Sequence, residues 1–254
     1  MHTSTRPLAL ITGASRGIGR AVALALAPRA DLVLVARDAG RLAAVAAEAA
    51  ARGARVQALT ADLEAAGEVA RLVEATSGTV EILVNNAGAA ASAPLGRTDD
   101  ALWARMLALN LTAPFALARA LVPGMIKAGG GRVINVASTA ALKGYAYTSA
   151  YSAAKAGLLG WTRALAAEVA SKGVTVNAVC PGFTDTDLVQ EAVLKIQAST
   201  QRSESAARAA LAGFSPQGRL LGPEEVAALI VFLAGPEAGG INGQALAIDG
   251  GETG

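Results

Sequence analysis

Histidine and cysteine are almost missing from this sequence, and their scarcity excludes several kinds of chemistry. The 254 residues contain one histidine, His2, in a terminus that we predict to fray, and one cysteine, Cys180. An internal disulfide, a cysteine-cluster metal site, a zinc dehydrogenase and a serine–histidine–aspartate hydrolase therefore lack their parts, and we expect no metal. Cys180 is predicted to be a small buried residue. Acid–base chemistry must then use tyrosine, lysine, aspartate or glutamate.

Charge and long apolar runs are also limited. The net charge is +2, charged residues make up 17% of the chain, and no basic run exceeds two residues, so nucleic-acid binding has little electrostatic support. The N-terminal residues lack the apolar core of a signal peptide, and no uninterrupted apolar stretch has the length of a membrane span. We expect a cytoplasmic protein without a membrane or nucleic-acid partner.

Short apolar runs alternate with helix-forming segments along the whole chain. Strands are predicted at 8–12, 32–35, 55–59, 82–84, 132–137, 174–179 and 245–248. Helices are predicted after the first strand, at 39–52, up to about Ser77, at 99–121 with a bend near Pro114, at 150–171 and at 223–233. Continuous apolar strands are typical of a sheet covered on both faces. The fold class is therefore α/β, with about seven strands in one doubly wound parallel sheet of the Rossmann type.

One domain covering residues 1–254 suits this length, because α/β folds often use it for a single dinucleotide-binding and catalytic domain. Residues 184–218 fit the alternation least well. The segment is long for a connection, mixes helix-like and polar sequence, and follows a strand end. Such insertions often form lids or substrate loops.

A glycine-rich turn joins the first strand to the first helix. Gly13, Gly17 and Gly19 follow the spacing G-x-x-x-G-x-G, with Arg16 inside the turn. Glycines at such a turn allow the backbone to approach a pyrophosphate, and the helix N-terminus offers free N–H groups and a positive dipole end. The turn indicates nucleotide binding, and a plain tight turn is the alternative.

The end of the second strand distinguishes the two nicotinamide cofactors. Ala36 occupies the place where an acidic residue would bind the ribose 2′-hydroxyl of NAD, and Arg37 follows it. Arg37 and Arg16 together favour the 2′-phosphate of NADP. Two solvated surface arginines are the alternative, and a ribose contact from Asp38 would favour NAD instead.

Tyr151 and Lys155 carry the candidate chemistry. Four residues apart in an alanine-rich helix, their side chains lie on one face, one turn apart. A lysine ammonium there would lower the tyrosine pKa toward the operating pH of a general acid or base. Ser138 ends a predicted strand and could hydrogen-bond a substrate oxygen at the same place. Taken alone, such a pair is more often a solvated helix face.

The ordered set of motifs resembles the short-chain dehydrogenase/reductase family over nearly the whole chain. The match includes T-G-A-S-R-G-I-G at 12–19, N-N-A-G at 85–88, Asn110, Ser138, Y-S-A-A-K at 151–155, and P-G at 181–182. The resemblance implies that Tyr151 is the acid/base, that Lys155 lowers its pKa and holds the nicotinamide ribose, and that Ser138 orients the substrate oxygen. Asn110 would hold a water that links Lys155 to solvent.

The same resemblance implies a set of cofactor contacts. Asp62 and Leu63 would flank the adenine, 86–88 would form the cofactor floor, and 181–186 would wrap the nicotinamide and pyrophosphate. Thr184 stands where many members have an aliphatic residue. The full candidate set is Gly13, Ser15, Arg16, Gly17, Ile18, Gly19, Arg37, Asp62, Leu63, Asn86, Ala87, Gly88, Tyr151, Lys155, Pro181, Gly182, Thr184 and Thr186.

The substrate is less sharply indicated than the reaction. The chain looks most like bacterial 3-oxoacyl thioester reductases, which implies NADP(H)-dependent reduction of a 3-oxoacyl thioester, with NAD(H) as the alternative cofactor. Lys127, Arg132 and Lys172 could meet an acidic acyl carrier protein or CoA phosphates, or be plain surface cations. We expect Tyr145, Tyr147, Phe183 and residues 187–214 to line the pocket.

Two alternative functions and one question of assembly stay open at this point. One is a small or cyclic alcohol dehydrogenase of the same family, and another is a nucleotide-binding regulatory subunit without turnover. The third point concerns assembly. Helices 99–121 and 150–171 are apolar around much of their surface, and an apolar strand should lie at a sheet edge, so we expect a homo-oligomer, with the tetramer that the family commonly forms.

Overall fold

A single seven-stranded parallel sheet forms the centre of the protein. The structure is a computed structural model that describes residues 6–76 and 78–254. The strands follow the order β3-β2-β1-β4-β5-β6-β7. They are β1 Leu8–Thr12, β2 Asp31–Ala36, β3 Val56–Thr60, β4 Ile82–Asn85, β5 Gly131–Val136, β6 Val174–Pro181 and β7 Ala245–Ile248. The predicted fold class is confirmed, and the predicted strand boundaries lie within two residues of these.

Helices cover both faces of this sheet. They are α1 Gly17–Leu26, α2 Ala39–Ala51, α3 Glu68–Ala75, α4 Asp100–Leu107, α5 Ala113–Lys127, α6 Ser149–Val169, α7 Asp187–Thr200, α8 Glu204–Ala212 and α9 Pro223–Ala234. Residues of α1, α2 and α9 pack on one face, and residues of α3, α5 and α6 pack on the other. The predictions for His2 and for a helix end at Ser77 lie outside the described residues.

Alternating side chains of each strand enter two separate cores, which explains the continuous apolar strands. In β1, Ile11 packs into the core beneath α1 and α9, while its neighbour Leu10 packs into the core beneath α5 and α6. Both side chains are completely buried. Cys180 is buried and unpaired near the end of β6, as predicted.

The long helix predicted at 99–121 is instead three consecutive helical segments. Between α4 and α5 the residues Ala108–Thr112 form a π-helical turn, and α5 continues six residues past the predicted end. Pro114 lies in the first turn of α5, where its missing N–H costs little. The irregularity is therefore a π-turn, and such turns are frequent at functional sites.

The helical run Asp100–Lys127 is long and apolar enough to cross a membrane by length and composition alone. The expectation that no uninterrupted apolar stretch has this length still holds, because charged residues interrupt the run. Half of the most apolar window is buried, and Leu117, Val122 and Met125 pack against the sheet. A buried core helix passes the same test, so the run is explained by its place in the fold.

The segment at 184–218 forms two helices with a small core of their own. Val189 and Val193 of α7 pack against Ala207 and Leu211 of α8. A short parallel bridge between Thr184 and Leu221 closes the base of the segment. The segment therefore stands as an ordered cap next to the end of β6.

Candidate active site

A cavity of about 1080 Å³ opens at the carboxyl ends of the central strands. β1 lies between β2 and β4, so the strand order reverses at this point, where open α/β sheets bind their ligands. All the catalytic and cofactor-binding candidates named from the sequence line this cavity, with one exception, Gly19. The fold thus brings together residues that lie up to 173 positions apart, from Gly13 to Thr186.

The glycine turn between β1 and α1 is shaped for close backbone approach. Gly13 and Gly17 have φ angles of +66° and +54°, which other residues rarely adopt. At Gly19 a β-carbon would lie 2.5 Å from the Asn86 side-chain nitrogen and against the Gly13 carbonyl. Gly19 therefore allows the Asn86 side chain and the Gly13 carbonyl to pack directly against it beneath the turn. Gly19 itself does not line the cavity. Within the described chain no side chain caps α1, so its first amides can meet an anion.

Asn86 and Thr12 tie the glycine turn to the end of β4. Asn86 Nδ2 donates to the carbonyls of Thr12 at 2.9 Å and Gly13 at 3.2 Å. Thr12 Oγ1 in turn accepts from the backbone amides of Asn86 at 3.0 Å and Ala87 at 2.9 Å. These bonds fix the floor of the cavity. Thr12 was missed as a functional residue, although it opens the T-G-A-S motif, because its partner lies 74 residues away.

Three arginines converge at the end of the cavity beside the end of β2, which is called the adenosine end because the sequence predicts the cofactor's adenosine there. Arg16 and Arg37 were expected there, and Arg41 of α2 joins them. Each is paired with a carboxylate: Arg37 lies 3.6 Å from Glu64, and both Arg16 and Arg41 bond to Asp187. The pattern around the second strand gave no reason to select Arg41.

Asp38, the alternative ribose ligand, has a structural role. Its side chain accepts a hydrogen bond from the Arg41 amide at 2.9 Å and so caps the N-terminus of α2. A cap of this kind uses one carboxylate oxygen, which weakens the case for Asp38 as a ribose contact.

Ser138, Tyr151 and Lys155 meet at the end of β5. Ser138 follows the strand and accepts a hydrogen bond from the Ala140 amide at 3.1 Å, while α6 carries the other two. Lys155 is 4% exposed and donates to the Val136 carbonyl at 2.8 Å. Its Nζ lies 5.9 Å from the centre of the Tyr151 ring. The solvated helix face is therefore excluded for this pair.

The prediction that the pKa of Tyr151 is lowered toward neutral pH is wrong in this structure. Burial raises the pKa of Tyr151, and the hydrogen bond with Ser138 only partly opposes it. Burial also lowers the pKa of Lys155 to about 8. Desolvation is the largest cause of the Tyr151 shift, and the lysine ammonium donates to a backbone carbonyl. Tyr151 therefore holds its proton at neutral pH.

Asn110 lies in the π-turn, completely buried. Its Nδ2 donates to the carbonyls of Ala89 and Met106, each at 3.0 Å. Its Oδ1 has no partner among the described residues and lies near Gly88, where a β-carbon would come within 2.8 Å of it and 3.5 Å of Lys155 Nζ. A buried acceptor without a partner is costly unless a water or ligand satisfies it.

The other end of the cavity is aromatic. Tyr145, Phe183 and Phe214 lie edge to face or tilted, with ring centres 5.1–6.2 Å apart. All three line the cavity, as does Tyr147, which is 65% exposed. Tyr145, Tyr147 and Phe183 therefore line the cavity as expected, whereas only part of the segment 187–214 does.

The chain's C-terminal residues hold this aromatic group in place. The Tyr145 hydroxyl donates to the carboxylate of Glu252, which is almost fully buried. Lys143 Nζ lies 3.1 Å from the same carboxylate. Local sequence could not indicate this contact, because Glu252 lies 107 residues from Tyr145.

The three cations expected to meet an acyl carrier lie elsewhere. Lys127 ends α5, Arg132 begins β5, and Lys172 precedes β6, so all three lie at the amino edge of the sheet. The cavity opens at the carboxyl edge, roughly 20 Å away at about 3.3 Å per strand residue. Arg132 donates to the Gly131 and Gly235 carbonyls. Within one subunit these cations cannot flank the cavity mouth.

Comparison with known proteins agrees with this geometry. The family model described as "short chain dehydrogenase" matches residues 7–197. The chain is 40% identical to the 3-oxoacyl-[acyl-carrier-protein] reductase FabG of Vibrio harveyi over 245 residues, which is 96% of each chain. It is 41% identical to the 3-oxoacyl-[acyl-carrier-protein] reductase of Synechocystis over 257 residues, which is 99% of this chain and 98% of that one.

Solved structures with bound cofactor are similar as well. A variant of actinorhodin polyketide ketoreductase with NADPH superposes with a TM-score of 0.94 and 33% identity, covering 100% of this chain and 99% of that one. L-Sorbose reductase from Gluconobacter frateurii, complexed with NADPH and L-sorbose, superposes with a TM-score of 0.92 and 33% identity. The match covers 98% of this chain and 97% of that one. The motifs, the fold and these matches agree: the chain belongs to the short chain dehydrogenase family.

Proposed function

We propose that this chain is an NADP(H)-dependent reductase that converts a 3-oxoacyl thioester to the 3-hydroxyacyl thioester. One observation carries the proposal: Ser138, Tyr151 and Lys155 meet in the same cavity as the glycine turn and the three arginines. Chemistry and cofactor binding are thereby within reach of one another. The reductases at about 40% identity over nearly the whole chain support the substrate class.

The residues of the cavity fit a dinucleotide. The glycine turn leaves a cradle that β-carbons at Gly13 or Gly17 would disturb, and the first amides of α1 point into it. Bound there, NADPH supplies the hydride. Arg16, Arg37 and Arg41 offer the adenosine end three guanidinium groups that could meet a 2′-phosphate, and each is paired with a carboxylate in the structure. The NADPH in two similar structures supports this choice over NADH.

We propose that Tyr151 donates the proton that the substrate carbonyl oxygen receives. Its raised pKa keeps the phenol protonated at neutral pH, so it can donate to the carbonyl oxygen as that oxygen gains negative charge. Ser138 Oγ donates a second hydrogen bond to the same oxygen. Lys155, charged below its pKa of about 8, stabilises the phenolate that remains after the transfer.

Asn110 supports the return of the proton in this scheme. A water bound between the Asn110 Oδ1 and the nearby Lys155 ammonium would donate a hydrogen bond to this oxygen, which has no partner among the described residues. Such a water connects Lys155 to the solvent and allows Tyr151 to be protonated again.

The remaining assignments belong to the same proposal. Residues 184–218 cap the cavity as a substrate loop within a single domain of 1–254, and an apolar acyl chain would lie along Phe183 and Phe214. An acyl carrier protein is the proposed carrier, and the cytoplasm the proposed location. We propose a homotetramer, supported by the exposed rings of Trp103 and Phe115 and by the edge strand β7.

A second function is favoured by a specific likeness. L-Sorbose reductase has 33% identity and a TM-score of 0.92, so reduction of a small polyhydroxy ketone is the alternative. The aromatic wall around Tyr145 favours the apolar acyl chain.

A panel of substrates tests the proposal. Acetoacetyl-CoA, acetoacetyl-acyl carrier protein, a cyclic ketone and L-sorbose are each offered with NADPH and with NADH. We expect the highest kcat/KM for a 3-oxoacyl thioester with NADPH. Faster turnover of the sugar would support the alternative, and no turnover of any ketone would leave a nucleotide-binding protein without catalysis.

A further inference from the structure

Asp187 joins three parts of the chain at the adenosine end of the cavity. It is the first residue of α7, and its Oδ2 accepts from Arg16 at 2.8 Å and from Arg41 at 2.9 Å. Arg16 belongs to the glycine turn and Arg41 to α2, so these bonds span 171 and 146 residues. The bonds from Arg16 hold the pKa of Asp187 below its usual value, so the carboxylate is ionised at neutral pH.

This carboxylate occupies the arginines that a cofactor phosphate needs. Arg16 and Arg41 line the same cavity as Arg37, and Asp187 lines it too. A fixed anion between two guanidinium groups both uses their N–H donors and repels an incoming dianion. A 2′-phosphate must therefore displace Asp187, or share the arginines with it.

The third arginine is held differently. Arg37 lies 3.6 Å from Glu64, and Glu64 also pairs with Arg105 at 3.0 Å. Glu64 therefore still has Arg105 as an ion partner when Arg37 turns away. Asp187 has no third ion partner among the described residues. It lies in the first turn of α7, where the helix N-terminus stabilises an anion, so its release is tolerated.

We propose that Asp187 is a specificity-determining residue that competes with the 2′-phosphate of NADP(H) for Arg16 and Arg41. This inference rests on the proposed NADP(H) reductase function and adds a residue that limits its cofactor preference. NADH has no phosphate at this position, so its binding leaves the Asp187 pairs in place. The carboxylate thus acts selectively against the phosphorylated cofactor.

Replacing the carboxylate with the amide of the same shape isolates the charge. Both ion pairs are half-exposed, with 41% of the Asp187 side chain accessible, and such pairs are individually weak. We therefore expect Asp187→Asn to tighten NADPH by about three- to tenfold and to change NADH less than twofold.

Dissociation constants measured by fluorescence and calorimetry provide the test. The ligands are NADPH, NADH, adenosine 2′,5′-bisphosphate and ADP, the last two carrying the adenosine end with and without a 2′-phosphate. Asp187→Asn should tighten the binding of NADPH and of adenosine 2′,5′-bisphosphate, and of neither other ligand. Glu191→Gln, which removes a weaker 3.5 Å pair to Arg16, should act in the same direction but less.

Glu48→Gln is the matched control. Glu48 pairs with Arg20 at 2.6 Å and is as exposed as Asp187, but it does not line the cavity. It should leave all four constants unchanged. Equal tightening of both cofactors in Asp187→Asn, no change, or weaker NADPH binding would overturn the competition.

The two proposals fail separately. The competition is judged by the dissociation constant of the variant divided by that of wild type for each ligand. The cofactor assignment is judged by whether the wild type binds NADPH more tightly than NADH. A wild type that prefers NADH contradicts the assignment, whatever the variant does.

Discussion

Gly19 is the position where a single methyl group should have the largest effect on cofactor binding. The β-carbon of Gly19→Ala would lie 2.5 Å from Asn86 Nδ2 and closer still to the Gly13 carbonyl. Both belong to the floor of the cavity, so the turn must move by roughly 1 Å to restore normal contact. Such overpacking typically costs about 1–3 kcal/mol. The moved backbone amides would lose at least one bond to an anion, worth about 1.5–3 kcal/mol.

We therefore expect Gly19→Ala to weaken NADPH binding roughly ten- to hundredfold and to lower Tm by about 2–10 °C. Fluorescence titration and thermal melts measure the two effects. Gly40→Ala is the matched control: it also lies in the first turn of a helix, and its β-carbon would make only an ordinary contact, 3.6 Å from Asp38. Gly40→Ala should bind NADPH as the wild type does. NADPH binding by Gly19→Ala within twofold of wild type would refute the reasoning.

Three further predictions concern the cofactor, the buried lysine and the assembly. Arg37→Ala should weaken NADPH by one to two decades and NADH far less, since a charge-assisted phosphate bond is worth about 1.5–3 kcal/mol; equal losses would remove Arg37 from the phosphate site. Lys155 has a folded pKa of about 8, below its usual value, so the unfolded chain binds more protons and stability rises with pH above 8. The free energy of unfolding of Lys155→Met minus that of wild type should then fall by about 2 kcal/mol between pH 7 and pH 9.5 in urea melts. A difference that does not change with pH would contradict the burial of a charge. Light scattering should give the mass of four chains, and Phe115→Asp should reduce it to two; a wild-type mass of one chain would reject the tetramer.

The sequence predicted the sheet well because burial on both faces leaves a strong local signal. The strands at 8–12 and 245–248 agree with the structure at both ends, and the others differ by one or two residues. The π-turn at Ala108–Thr112 was missed, since a bend near Pro114 is the only break that local propensity provides. Proline instead starts the next helix, where it is tolerated.

The residues of the site were largely identified by motif, whereas their electrostatics were not. Spacing correctly brought Tyr151 and Lys155 to one face, but the direction of the tyrosine pKa depends on burial, which spacing does not report. Arg41 and Glu252 were overlooked, and Asp187 was placed only in the general pocket segment 187–214, because their partners lie more than 100 residues away. The three cations for which a carrier or plain solvent was left open lie at the edge of the sheet opposite the cavity, because each is close to the start of a strand.

The most direct test of the account is the rate of Tyr151→Phe with a 3-oxoacyl thioester and NADPH, measured beside NADPH affinity. Among the described residues that line the reactive end of the cavity, no histidine can replace the phenol as the acid. We predict that kcat falls by about 10²–10⁴-fold while the dissociation constant of NADPH stays within about threefold of wild type. More than about a tenth of the wild-type rate would contradict the central role given to Tyr151.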